Sequence, residues 1–227
     1  MNDSRAAILA TIAKRLGRGP LDEAARKSLR ARLRGHAPGL IPARAQLPHD
    51  EQLALFQEQA EAVATTVERL DANSDVPGAV ADYLARHNLP SEVVMAPDPS
   101  LDGYPWGDKP TLQIRRGVTA GDDLVAVTGA FAGIAETGSL MMLSGPDTPT
   151  TLNYLPDNHI VVLRAEQVMG TYEEGWILLR SAGAMPRNVN FVTGPSRTAD
   201  IEQKTQLGAH GPRRLHIVIV DPAQEDK

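Results

Sequence analysis

"HIVVLRAEQVMGTYEEGWILLRSAGAMPRNVNFVT", His159–Thr193, decides the fold class. His159–Arg164 is an apolar run without polar alternation, which reads as a strand buried on both faces. Glu166–Ser181 sets Val168, Tyr172, Trp176 and Leu179 on one side, the pattern of a helix with one apolar face. Val189–Thr193 then returns as a second short apolar strand. A strand, a helix and a strand in succession predict an α/β domain with a parallel-rich sheet flanked by helices.

The same texture extends outward. Glu92–Ala96 and Gln113–Arg116 read as short strands on either side of the turn-rich loop "PDPSLDGYPWGDKP", Pro97–Pro110. Leu124–Thr128, Ala130–Ala135 and Ser139–Ser144 read as strands punctuated by Gly and Thr. Pro77–His87 reads as a helix with Val80, Tyr83 and Leu84 inward. Residues 49–71 form the clearest helical stripe, through Leu53, Phe56, Ala60, Val63, Val67 and Leu70. Toward the end, a helix is expected from Arg197 to about Gln206, followed by a strand over Leu215–Asp221. Residues 4–16 and 21–33 read as two helices. "GHAPGLIPARAQLP", Gly35–Pro48, reads as a linker. A helical arm over residues 1–46 and an α/β domain over 47–227 are therefore expected.

The chain has 227 residues, 42% hydrophobic, enough for one good core with an appendage. Its net charge of −5 and 4% aromatic content argue against a nucleic-acid binder. The charge is uneven: residues 1–46 carry ten Lys and Arg against three acids, and the remainder thirteen against twenty-five. A basic arm of this kind reads as a solvated helix pair or as a surface for an acidic partner. With no cysteine in the chain, disulfides, thiolate catalysis and cysteine-held clusters have no ligands here. No secretory leader or membrane-length apolar run is evident, so a cytoplasmic location is expected.

No G-x-x-x-x-G-K-[ST], G-x-G-x-x-G after a strand, or H-E-x-x-H occurs. Two other stretches could carry chemistry. In "VTGAFAGIAETGSLMML", Val127–Leu143, Glu136 stands between an apolar run and a Thr137-Gly138-Ser139 turn. A carboxylate desolvated there suits an acid/base or nucleophilic role, and equally a cap on the Gly138 and Ser139 amides. In "GPSRTADIEQ", Gly194–Gln203, Ser196 or Thr198 could cap the expected helix, and Arg197 could add a forked donor for an anion. Asp200 and Glu202 would favour the helix start but repel an anion. His159, His210 and His216 match no metal-ligand spacing, so no metal site is expected.

Taken together, "GIAETGSLMML", "LPDNHIVVL" and "GPSRTADIEQ…LGAHGPRRLHIVIVD" resemble the LUD-domain family across roughly residues 50–221. The resemblance implies a fold like that of CoA transferases and ribose-phosphate isomerases. It also implies a role in oxidising L-lactate to pyruvate beside two companion proteins rich in iron–sulfur cysteines. No cofactor would sit in this chain, the clusters being held by those partners. Signature positions carried over are Glu136, Thr137, Gly138, Ser139, Ser196, Arg197, Thr198, Asp200, Glu202 and His210, with a small carboxylate as the possible ligand. CoA transferases use a glutamate beside a glycine turn as nucleophile, and Glu136 is a loose analogue. Two alternatives therefore stand beside a cluster-free subunit: an independent acyl- or CoA-handling enzyme, and a sensor of an anionic metabolite. Glu136, Arg197 and His210 are expected to lie near one shared depression, forming a single site.

Overall fold

The computed structural model describes residues 2–201 and 204–222. The chain divides into two compact units after Leu40. The first holds α1 (Asn2–Arg15) and α2 (Glu23–Gly35). Asp22 starts α2 by accepting the Ala25 amide at 2.6 Å, and Arg32 and Arg34 favour its carbonyl end.

The second unit runs in the order α3 (His49–Ala62), β1 (Thr66–Leu70), α4 (Val76–Arg86), β2 (Glu92–Met95), β3 (Gln113–Arg116), β4 (Val125–Gly129), β5 (Ala132–Ile134) and β6 (Ser139–Leu143). It continues with β7 (Asn158–Arg164), β8 (Val168–Met169), α5 (Tyr172–Ser181), β9 (Val189–Val192), β10 (Arg197–Ile201), β11 (Lys204–Leu207) and β12 (Arg214–Val220). The main sheet has the order β1-β12-β7-β4-β2-β3, with every pairing parallel. Alternate residues of β7 and β12 enter opposite cores. Ile160, Val162, Val218 and Val220 pack with Val80, Tyr83 and Leu84 of α4. Val161, Leu163, Ile217 and Ile219 pack with Leu53 and Phe56 of α3. Burial on both faces explains the unbroken apolar runs in the sequence. The expected α/β class, a parallel sheet flanked by helices, is the class observed.

A second sheet, β8-β5-β6-β9, is antiparallel except where β5 meets β8. Ala132 and Met141 of this sheet pack on Leu179 of α5.

Four expectations are corrected. The helix expected over 49–71 ends at Ala62. Ala64 turns through a φ of 66°, and Thr66–Leu70 pairs with β12 as an edge strand. The β-branched Thr65, Thr66 and Val67 favour that extended path. The helix expected from Glu166 begins only at Tyr172, because Val168–Met169 is drawn into the second sheet beside β5. Thr171 and Glu174 form a reciprocal capping box that fixes this start. Val189–Val192 pairs with β6 in the second sheet, not in the main one. The helix expected from Arg197 to Gln206 is instead the antiparallel pair β10–β11, with Arg197 opposite Leu207 and Thr198 opposite Gln206. That stretch has no apolar stripe of helical period to bury, so tertiary pairing overrides it.

Candidate functional site

The Glu136 turn joins β5 to β6 and lies hard against α3. Gly138 has a φ of 62°, and a Cβ there would come within 2.2 Å of the Ala60 amide nitrogen. Only glycine allows so close a backbone approach. Glu136 is 6% exposed. Its amide donates to the Gly170 carbonyl at 3.0 Å, and its own carbonyl accepts from Arg44 Nη2 at 3.0 Å. Its Oε1 accepts the Tyr172 amide at 2.9 Å. The carboxylate thus caps the start of α5, where free amides and the helix dipole favour negative charge. The cap foreseen on the Gly138 and Ser139 amides is replaced by a cap on a different element.

Beside Glu136, four hydroxyls satisfy one another. Ser139 Oγ lies 2.7 Å from Thr137 Oγ1, 3.0 Å from Tyr172 Oη and 2.5 Å from Thr193 Oγ1. Thr137 Oγ1 lies 2.9 Å from Tyr172 Oη. This cluster pins the turn to α5 and to the end of β9.

Ser196 does not cap a helix. Its amide donates to the Pro212 carbonyl at 2.8 Å, and its carbonyl accepts the Gly208 amide at 3.0 Å. Its hydroxyl accepts the His210 amide at 3.3 Å. Ser196 therefore closes the base of the β10–β11 hairpin, and the helix-start anion site expected there has no helix to form it. Arg197, exposed, begins β10; Thr198 and Asp200 lie within the same strand. Glu202 lies outside the described residues. The fold thus joins Glu136, Thr137, Gly138 and Ser139 in one cluster and Ser196 with His210 in another.

A well-formed cavity lies elsewhere among the described residues. It has a volume of about 420 Å³ and is lined by none of the expected site residues. Asp98 and Ser100 reach it from the loop after β2, and Thr128 and Gly129 from the end of β4. Phe131, Met142 and Leu179 supply an apolar wall. From β2 the chain passes to β3 on one side, and from β4 toward β7 on the other. The cavity is therefore at a topological switch point, outside the carboxyl ends of parallel strands, where open α/β sheets bind ligands. Its volume falls within the usual range of small-molecule sites.

Asp98 Oδ1 accepts the Ser100 amide at 2.9 Å. Its Oδ2 crosses the open face of Gly129, where a Cβ would stand 2.9 Å away. Thr128 Oγ1 lies 2.8 Å from His159 Nε2. His159 is 1% exposed, and burial pushes its imidazole down to about 4, so the ring is neutral at neutral pH. Its Nδ1 has no hydrogen-bond partner. A buried bare nitrogen is better tolerated than a buried N–H without an acceptor, which places the ring proton on Nε2. Thr128 then accepts from His159 and keeps its own proton for the cavity.

Sequence reasoning missed Asp98 and Thr128. The available signal was a carboxylate directly after one buried strand and a Thr-Gly pair ending another. Among the described residues, no group of three or more His, Cys, Asp or Glu is placed to hold a metal ion. No described helix is long and apolar enough to cross a membrane.

Residues 53–220 match the LUD domain, and the chain belongs to the LUD-domain family. It is 30% identical over 182 residues to lactate utilization protein C of Deinococcus radiodurans, covering 79% of this chain and 84% of that one. Lactate utilization protein C of Geobacillus thermodenitrificans is 25% identical over 244 residues, covering 96% of each chain. An uncharacterized protein of Neisseria meningitidis is 40% identical over 98 residues, but that alignment spans only 42% of this chain and 41% of its own. Among solved structures, a DUF162 family protein from Deinococcus radiodurans shares the fold. Its TM-score is 0.57 at 23% identity, over 77% of this chain and 99% of that one.

Proposed function

We propose that this chain serves lactate utilization as the cluster-free subunit of an assembly oxidising L-lactate to pyruvate. The observation carrying this reading is the similarity to lactate utilization protein C along nearly the whole chain. The oxidation removes two electrons and two protons from lactate. This chain has no cysteine with which to hold an iron–sulfur cluster, so cluster acceptors would come from companion proteins. Two cysteine-rich companions are the partners expected. The chain would contribute a rigid α/β body with a ready-formed small-molecule cavity at its strand ends. As an independent acyl-transfer enzyme it is less well supported, because the Glu136 carboxylate is engaged by the α5 amide and does not line the strand-end cavity.

Deleting the gene in a strain with no other lactate oxidase tests the proposal. Growth on lactate as sole carbon source should stop and return with the wild-type gene. Two iron–sulfur proteins should co-purify with the tagged chain. Normal growth of the deletion strain overturns the reading.

A further inference from the structure

The strand-end cavity has one formal charge in its wall, the Asp98 carboxylate, and no Lys, Arg or His. The nearby Arg164 is already paired with Glu166, Nε to Oε1 at 2.7 Å and Nη2 to Oε2 at 3.2 Å. Gln167 is also committed: its Nε2 donates to the Ala130 carbonyl at 2.8 Å and its Oε1 accepts the Arg164 amide at 2.8 Å. A bound carboxylate would lose hydration, meet a like charge and find no cation. Desolvating an unpaired anion is far costlier than desolvating a neutral group. Lactate is thus a poor fit, and it is also far smaller than a cavity of about 420 Å³.

The polar end has the opposite preference. Asp98 accepts a proton donor, and Thr128 donates to an acceptor. Phe131, Met142 and Leu179 provide an apolar surface for the rest of a ligand.

We infer that the Asp98–Thr128 cavity binds a second, non-anionic organic molecule: an amide or amino alcohol with an apolar portion, its donor on Asp98 and its acceptor on Thr128. The inference stands apart from the lactate reading, which concerns the assembly's substrate. It assigns this chain a ligand of its own.

A charge-graded series of one skeleton tests it on the full chain. Phenyllactamide is neutral, 1-amino-3-phenylpropan-2-ol is cationic and phenyllactate is anionic, with L-lactate as a further probe. Binding is read by calorimetry and by the rise in melting temperature. The amide and the amine should bind at least about tenfold more tightly than phenyllactate or lactate. Asp98→Asn should remove the preference for the amine, and Thr128→Val should weaken the amide while Thr128→Ser retains it. Carboxylate binding as tight as the amide's overturns the inference. So does failure of both amide and amine to bind. Growth on lactate is read separately, so either proposal can fail while the other stands.

Discussion

Two carboxylates lie close to glycines in this protein, Glu136 in the turn of Gly138 and Asp98 against Gly129 at the end of β4, and their surroundings set them opposite tasks. Glu136 lies in a turn pressed on α3, with its carboxylate on the Tyr172 amide and interlocked hydroxyls beside it. Asp98 lies at the mouth of a cavity, with Oδ2 facing the open side of Gly129. A distinctive motif can therefore mark a closed structural joint, while the open hydrogen-bonding capacity lies in an undistinguished loop. Free capacity next to empty volume is the better guide to a ligand.

The two glycines give the sharpest way to break this comparison. Gly138→Ala drives a Cβ into the α3 backbone from a positive φ, and neither partner can move cheaply. We expect a loss above about 4 kcal/mol, a large share of the roughly 5–15 kcal/mol that holds a typical domain folded. Gly129→Ala meets only the side-chain tips of Asp98 and Ser100, so it should fold with a melting temperature near wild type. Soluble yield and thermal denaturation of the pair check this; equal damage would contradict it.

Acid should act next most strongly. His159 and His216 are both held down to about 4 from an ordinary 6.5 by burial, helped at His216 by the Arg86 charge. The unfolded chain therefore takes up these protons near pH 6.5 and the folded chain only near 4. The stability at stake is full above pH 6.5 and is lost as pH falls toward 4, by on the order of 3 kcal/mol per histidine at most. Urea denaturation across that window should show the fall, and a flat profile would refute neutral burial.

Glu136→Gln keeps the shape but removes the charge at the start of α5. A loss of about 1–2 kcal/mol is expected in urea denaturation, reduced by high salt if the helix dipole contributes. Asp98→Asn, at a partly exposed site, should change stability by less than about 0.5 kcal/mol while altering ligand charge preference. A large loss of stability there would make Asp98 a structural residue like Glu136.

The unequal legibility of the sequence follows from the same physics. β7 and β12 were readable because burial on both faces demands unbroken Val and Ile. Leu53, Phe56 and Ala60 were readable as the buried stripe of α3, but Val67 and Leu70 continued its spacing from a strand. β10–β11 owes its form to pairing and to the Ser196–Pro212 closure, contacts that local periodicity does not encode. The Glu136 turn was conspicuous in sequence, but its partners, Arg44 and Tyr172, are brought together only by the fold. Asp98 was hidden for a similar reason: it becomes an edge residue only once β2 is known to neighbour β4.

Calorimetric titration of two variants with phenyllactamide tests most directly the central claim, that the ligand site is the strand-end cavity and not the Glu136 turn. Gly129→Leu extends a side chain into the strand-end cavity, and Glu136→Gln alters only the α5 cap. With both proteins folded, Gly129→Leu should lose phenyllactamide binding and Glu136→Gln should bind it as the wild type does. Undiminished binding with the filled cavity and loss of binding with Glu136→Gln would return the ligand site to the Glu136 turn.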